Sequence, residues 1–480
     1  MIDWRIQLPV GTVAPTRPDH LHPRLRSIRV DAKRAVAFVD SRSAELPSPD
    51  DVRGPAVNPD PFQHAQSGAD LIPAGPLQAE QISYAFAIYY LPKPSADPFA
   101  TLDALLAREF REFHHADCLS GDETEPTVNA WITADPQHDC PPPSPDIVQL
   151  FGRGVSLQQT AALQATEAAL VLNFVYPKGQ ALSRLRTALR LTGELASGTG
   201  GLIWDNETRE VFTPAAWIEM RIDQWNGPTP DISDHTVIHA YQPDGHVRLV
   251  TLGMAKFGLP DVVVNQLPRS VSQQVGDLVS AFCQAITDGP VVERRGEFDL
   301  DVRRIGSAGT GTAPLTLKVG TPEAGDPDNR ILELTFDRGT GEDVHTRRHA
   351  VLAAAFGSGS PVVPTMHDDA LNAASEQARS KLPALRALFN DGLAPGEFLQ
   401  LKAPFEGAGG IREWMWVEVA SWTDDAITGF LVNEPASSLG LHAGQTVEVA
   451  ESTVFDYMHK RRDGVIDGNE TERLIRSQLN

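Results

Sequence analysis

The segment that decides the fold lies near the C-terminus, at residues 412–458: REWMWVEVASWTDDAITGFLVNEPASSLGLHAGQTVEVAESTVFDYM. Side chains alternate between the two faces of a β-strand. Trp414, Trp416 and Glu418 therefore share one face, and the apolar residues between them face the other side. The pattern predicts a strand with one apolar face and one face carrying aromatic and acidic groups.

The residues that follow predict an antiparallel sheet. The polar run 421–425 is typical of a turn, so the next apolar run, 426–432, pairs with the first strand as a hairpin. Pro435 ends that second strand because proline cannot donate to a β-ladder. A third strand is expected at 446–449, after Gly444.

This segment resembles the YegJ-like family of small bacterial proteins, classed as a domain of unknown function. The resemblance is carried by MWVEV at 415–419, GFLVNEP at 429–435, AGQTV at 443–447 and FDY at 455–457. Residues 370–389 are similar to the helix that opens the family's domain, and 398–405 to its first strand. The family often has His before the Met-Trp pair, where this chain has Trp414. The resemblance covers about residues 369–471 and implies no established biochemical role.

The length of 480 residues predicts two to four domains. We predict a multidomain α+β protein that has a central α/β-sandwich with a mixed sheet and a C-terminal helix followed by an antiparallel sheet. The expected sections are a Pro-rich, poorly ordered region at 1–77, a central α/β domain at 78–290, a β-rich connector at 291–365 and the YegJ-like domain at 366–480. The connector either forms its own module or completes the preceding sheet.

Two β-α units are expected in the central domain. A buried strand at 82–91, a Pro-Lys break and a helix at 99–113 are followed by the same order at 168–175 and 180–196. This region resembles a second bacterial domain family of unknown function, whose members carry an Ala-Leu-rich helix, a Gly-Gly-strand and a late Leu-Gly…Phe-Gly segment. Here these correspond to 182–195, GGLIW at 200–204, and Leu252-Gly253 with Phe257-Gly258.

The charge balance restricts the partners. Sixty-three acidic and 41 basic side chains give a net charge of −22, which argues against nucleic acid as a partner. An acidic surface suits either solubility or the capture of a basic protein. No stretch reaches the apolar length of a membrane span, and the N-terminus lacks a signal-peptide pattern. We predict a cytoplasmic protein without membrane contact, although export without a cleaved signal stays open.

The chain carries no complete catalytic or metal-binding motif. Its three cysteines (Cys118, Cys140 and Cys283) form no Cys-x-x-Cys pair, so neither disulfides nor a zinc site is expected. His235, His239 and His246 are interpreted as structural or surface residues, as are His114 and His115, which are placed at a helix end. The Gly-rich runs 197–201 and 306–312 predict a helix cap and a flexible turn. We predict no metal and no cofactor.

The candidate binding surface lies in the C-terminal domain and comprises Trp414, Trp416, Glu418, Asn433, Glu434 and Asp456. Aromatic and acidic groups at a sheet edge suit recognition of a cationic group. The other interpretation is that Asn433 and Glu434 satisfy backbone groups at a tight corner. The leading prediction is a non-catalytic protein-binding or immunity-type protein. The alternatives are a hydrolase that uses Glu418, Glu434 or Asp456, and a sensor whose sandwich holds a small molecule.

Overall fold

The structure is a computed structural model that describes residues 5–6, 36–38, 70–91, 93–121, 123–241, 246–304, 311–357, 369–394, 396–406, 412–424, 426–432, 434–435, 440–461, 463–471 and 473–474. The strands within these residues are β1 (Arg5–Ile6), β2 (Val36–Phe38), β3 (Gly75–Pro76), β4 (Gln81–Tyr90), β5 (His114–Ala116), β6 (Thr127–Thr133), β7 (Gly152–Arg153), β8 (Ala169–Pro177), β9 (Gly201–Asp205), β10 (Glu210–Phe212), β11 (Val237–Tyr241), β12 (Val247–Leu252), β13 (Asp261–Leu267), β14 (Val291–Val292), β15 (Glu297–Asp301), β16 (Thr312–Val319), β17 (Ile331–Thr335), β18 (Phe398–Glu406), β19 (Arg412–Trp422), β20 (Ala426–Leu431), β21 (Thr446–Ala450), β22 (Asp456–Lys460) and β23 (Ile466–Gly468). The α-helices are α1 (Pro98–Arg108), α2 (Pro136–Asp139), α3 (Pro145–Phe151), α4 (Leu157–Leu163), α5 (Ala181–Thr199), α6 (Pro214–Trp217), α7 (Ser272–Asp288), α8 (Val344–Phe356), α9 (Asp369–Arg379) and α10 (Leu382–Asp391). None of these helices is both long enough and apolar enough to cross a membrane.

The first large sheet is the middle layer of a sandwich. Its seven strands run in the order β5-β6-β8-β4-β9-β10-β7, with parallel pairs at both ends and antiparallel pairs between. Side chains on one face of β4, such as Phe86, share a core with α1 and α5, whereas those on the other face, such as Ala87, pack against α3 and α4. The predicted β-α units are both present, as β4 with α1 and β8 with α5, and their strands pair antiparallel. The Gly-rich run after α5 is a helix cap, as predicted, with Gly200 at φ 83°.

The second large sheet includes three strands from residues 291–365, namely β15, β16 and β17. Its eight strands run in the order β1-β2-β11-β12-β13-β17-β16-β15. β17 pairs in parallel with β13, and β16 and β15 extend the sheet from there. These strands therefore complete the preceding sheet, and α7 packs across it. The predicted Gly-rich turn and most of the Pro-rich N-terminal region lie outside the described residues.

The C-terminal section has the expected helix-then-sheet order. Its six strands form a sheet in the order β21-β20-β19-β18-β22-β23, antiparallel throughout. β19 and β20 form the predicted hairpin, and Gly429 is needed there because a Cβ would collide with the carbonyl of Glu418. Together with the sandwich, this section makes the chain a multidomain α+β protein, as predicted.

Two predictions of helical structure were wrong. The single helix expected at 370–389 is two helices, α9 and α10, because Pro383 lacks the N–H that a continuous helix needs and instead occupies the first turn of α10. His114 and His115 lie in strand β5 and not at a helix end, since α1 stops at Arg108. Phe110 and Phe113, which the predicted helix included, lie beyond the end of α1 and still pack in the core.

Candidate functional site

The candidate residues on β19 face away from the C-terminal core. Met415, Val417 and Val419 belong to that core, so the period-two prediction for this strand is correct. Trp414 packs against Phe455 with ring centroids 4.4 Å apart. The Lys402 ammonium lies 5.6 Å from the centre of the Trp416 ring, a cation–π contact within this chain.

Glu418 is buried at a junction with the central sheets. Its side chain is 3% exposed, and its carboxylate accepts hydrogen bonds from the backbone N–H of Ser270, at 3.2 Å, and from the Ser270 hydroxyl. Burial raises the pKa of Glu418, and the hydrogen bonds and the Arg269 charge only partly offset this. Glu418 therefore binds a group of its own chain 148 residues away in sequence.

Arg269 and Phe430 extend the same junction. The Arg269 guanidinium donates to the carbonyls of Leu393 and Glu397, at 3.4 and 3.1 Å. Phe430, which pairs with Glu418 across the hairpin, packs against His345 and His246 with ring centroids 4.7 and 5.3 Å away. Burial, together with the nearby Arg348 charge, lowers the pKa of His345 to about 4. The junction thus joins polar contacts and ring packing on one side of the C-terminal sheet.

Glu434 is the exposed member of the candidate set. One carboxylate oxygen accepts from the Ala443 N–H at 2.9 Å and the other lies 3.0 Å from the His442 ring nitrogen. Burial alone would raise the pKa of Glu434, but these hydrogen bonds and the charge of His442 lower it. Glu434 therefore satisfies a backbone group at a corner, which is the simpler of the two interpretations. Asn433 lies outside the described residues.

Asp456 binds Thr471, which follows β23. It is fully buried and accepts from the Thr471 N–H at 2.9 Å and from the Thr471 hydroxyl at 2.6 Å. Burial raises the pKa of Asp456 more than these hydrogen bonds lower it. Glu418, Glu434 and Asp456 thus bind three different groups, and these contacts do not bring two of the carboxylates together as an acid–base pair.

A buried ion network ties β9 and β10 to the rest of the central region. Arg221 lies on a π-helical turn, Ile218–Asp223, and its Nη2 contacts Asp205 at 3.1 Å and Glu210 at 2.7 Å. The Nζ of Lys256 lies 2.6 Å from the same Asp205 carboxylate, and Arg153 binds Glu210. Burial opposes ionisation of Glu210, but the arginine charges outweigh it and lower its pKa. Ionisable groups with perturbed pKa values can mark functional sites. None of these five side chains lines the two cavities described below, so we assign the network a role in stability.

The histidines that sequence analysis set aside are packed against aromatic rings. His235 lies 5.2 Å from Trp225 and His239 lies 5.2 Å from Phe151, measured between ring centroids. Burial lowers the pKa of both, to about 3 for His239. Within the described part of the chain, no group of three or more His, Cys, Asp or Glu side chains is placed to hold a metal ion.

Asp261 is expected to make stability depend on pH. Burial raises its pKa to about 7, although the side chains of Asn329 and Thr251 and the Met254 N–H donate to its carboxylate. The folded chain therefore holds a proton that the unfolded chain releases near pH 3.8. The stability that this group contributes is full at low pH and is lost as pH rises through about 7, with a slope of at most ~1.4 kcal/mol per pH unit.

The check is the free energy of unfolding, from urea titrations at several pH values, for the wild type and Asp261→Asn. The free energy of unfolding of the variant should change less with pH between about pH 4 and 7. Asp424→Asn, at a fully solvent-accessible side chain, is the control and should follow the wild type. Parallel curves for the wild type and Asp261→Asn would contradict the assignment.

An acidic groove was missed by sequence analysis. A cavity of about 610 Å³ lies between α7, β15 and the loop at 229–233, and its lining includes Asp231, Asp277, Asp288, Asp299 and Asp301. Ile232, Ala281, Phe298 and Leu300 supply apolar surface. No Lys, Arg or His is part of the lining, but Asp299 pairs with Arg294 and Arg338, and Asp301 pairs with Arg303. The five aspartates come from three separate segments, so no local sequence pattern could predict that they lie together. The net charge of −22 was the one available signal.

Comparison with known proteins identifies the C-terminal section alone. Residues 368–480 match the model of a family described as an uncharacterized protein conserved in bacteria (DUF2314). The resemblance to a bacterial domain of unknown function is thereby confirmed, whereas the YegJ-like name and the second family in the central region stay predictions. Neither a curated protein nor a solved structure matches the chain.

Proposed function

We propose that the chain is a non-catalytic, cytoplasmic protein-binding module of the immunity type, and that its acidic groove receives a basic segment of a partner protein. The observation that carries the proposal is the groove itself, which has carboxylates around an apolar floor. Protein interfaces combine an apolar centre with a polar rim. Complementary charge speeds the encounter and rejects acidic competitors.

The contacts of the C-terminal residues favour the groove over the surface predicted from sequence. Glu418 and Asp456 are buried in contacts within the chain, and Trp416 is only 9% exposed beneath Lys402. In the groove, Asp231, Asp288 and Asp299 are exposed and Asp277 and Asp301 are half-buried. The hydrolase alternative, which used Glu418, Glu434 or Asp456, gains no support from carboxylates that bind three different groups.

The test compares co-purification from the native host for three forms of the tagged chain. They are the wild type, a groove variant (Asp231→Asn, Asp288→Asn, Asp299→Asn) and a control variant that removes three exposed carboxylates elsewhere (Asp117→Asn, Asp135→Asn, Asp391→Asn). We expect a stoichiometric basic protein with the wild type and the control, and its loss from the groove variant.

The affinity of the purified pair should then fall with added salt, because ions screen charge contacts. The groove variant should bind at least about tenfold more weakly, as expected when several charged contacts are removed. A partner retained equally by all three forms would place the interface elsewhere. The absence of any stoichiometric partner would overturn the binding proposal.

A further inference from the structure

A second cavity lies beside the junction of the central and C-terminal sections. It has a volume of about 470 Å³, which is within the usual range for small-molecule pockets. Its walls come from the ends of β13 and β17, the first turns of α8, and the side chains of His246, Arg248 and Glu323. Val264, Leu334, Phe336 and Val344 add apolar surface. Arg348 and His246 also connect this cavity to the junction described above.

Arg348 is a buried cation in the cavity wall without a carboxylate partner. Its side chain is 2% exposed, and it contacts neutral groups, the Gln266 carbonyl at 2.7 Å and the His345 Nδ1 at 2.9 Å. Within the described residues, no Asp or Glu oxygen lies within 4.0 Å of it. Burial lowers the pKa of Arg348 to about 10, with Glu418 and Asp343 opposing at longer range. Burying a charge without a paired counter-charge is unfavourable, so an anionic group in the cavity would stabilise this one.

Arg248, the other arginine of the wall, already has carboxylate partners. Its guanidinium contacts Asp326 at 2.5 Å and Glu323 at 3.1 Å. It also donates to the Asn265 side-chain oxygen at 2.5 Å, and the Asn265 amide donates to Glu333 at 2.8 Å. This chain of hydrogen bonds fixes the Glu333 carboxylate in the same cavity that Arg348 lines. The wall therefore offers one cation without a carboxylate partner, one oriented anion and apolar side chains.

We propose that this cavity binds a small zwitterion, an apolar amino acid or short peptide, with its carboxylate on Arg348 and its ammonium group on Glu333. Arginine binds carboxylates through parallel hydrogen bonds, which gives both strength and orientation. A phosphate fits less well, because its second negative charge would face Glu333 and Glu323. The site is separate from the acidic groove and does not depend on the function proposed for it.

The experiment measures binding of defined probes to the full chain by calorimetry and thermal shift. The probes are leucine, methionine, phenylalanine and dileucine. For each amino acid, a matched amide lacks the carboxylate and a matched carboxylic acid lacks the amine, and inorganic phosphate is tested alongside. At least one zwitterion should bind and raise the melting temperature. Its two analogues should bind at least about tenfold more weakly, because each loses one charge-assisted contact.

The variants assign the two ends of the ligand. Glu333→Gln keeps the shape of a half-buried side chain. It should weaken binding of the zwitterion and leave the affinity for the amine-free acid unchanged. Arg348→Met should abolish both. The control is Arg347→Met, at the neighbouring residue on α8 that does not line the cavity, which should bind like the wild type. Tighter binding of phosphate or of the amine-free acid, equal binding to wild type and Glu333→Gln, or no binding of any probe would overturn the proposal.

Discussion

Replacement of Arg221 by Met is expected to lower the free energy of unfolding by about 3–5 kcal/mol, the typical effect of removing one partner from a buried ion pair. Arg221 is 2% exposed, and its Nη2 contacts Asp205 and Glu210, which are also buried. The same nitrogen lies 3.1 Å from the Thr208 hydroxyl, and Nη1 donates to the Asp234 carbonyl. Methionine fills similar space but leaves two buried carboxylates with less positive charge.

Lys256 and Arg153 limit the stability that is lost when Arg221 is replaced. Lys256 remains on Asp205 and Arg153 on Glu210, so neither carboxylate becomes fully uncompensated. The matched control is Arg412→Met, which removes a salt bridge to Glu406 whose side chains are 56% and 64% exposed. Exposed pairs contribute little, so the control should lose less than about 1 kcal/mol. Urea unfolding monitored by fluorescence gives both values, and equal losses in the two variants would contradict the role assigned to the network.

Replacement of Glu418 by Ala is expected to destabilise the chain by about 2–4 kcal/mol, because it removes a buried carboxylate and leaves partly buried hydrogen-bond donors without an acceptor. The Ser270 N–H and hydroxyl lose their carboxylate, and Arg269 loses a nearby negative charge. The loss should be concentrated at the junction, so the Ser270 amide should exchange with solvent faster than in the wild type.

Glu434→Ala is the matched control within the same section. The Glu434 side chain is 56% exposed, so removing its contacts with His442 and Ala443 should change stability by about 1 kcal/mol or less. Unfolding free energies and hydrogen exchange should therefore separate the two glutamates clearly. A junction role for Glu418 would be wrong if its variant matched the Glu434 variant in both measurements.

The local pattern of the sequence predicted β19, β20 and β21 of the C-terminal sheet but not β22 or β23. Period-two alternation placed Met415, Val417 and Val419 on one face, which the structure shows to be the core face, and the polar run before Ala426 placed the turn. Alternation states which residues share a face but not what covers that face. Glu418 is covered by Ser270, and a contact across 148 residues leaves no trace in either segment. The sequence therefore predicted correctly that Trp414, Trp416 and Glu418 share a face. That face was interpreted as an exposed surface, whereas Trp416 and Glu418 are buried.

The two cavities were beyond sequence analysis for the same physical reason. The aspartates of the groove belong to α7, β15 and the 229–233 loop, which only the packing of α7 on the second sheet brings together. Arg348 and Glu333 share a cavity because β17 extends the sheet beside β13, the point that the sequence left open for residues 291–365. Strand order is set by contacts between distant segments, and composition revealed only the overall excess of acid.

Site-specific photo-cross-linking in the native host tests the central claim most directly. A photo-reactive amino acid is placed at Asp288 or Asp299, both exposed in the groove, and at Glu434, exposed in the C-terminal section. The groove proposal predicts cross-links to one basic protein from Asp288 and Asp299 and none from Glu434. Cross-links from Glu434 without any from the groove, or no cross-link from any position, would contradict it.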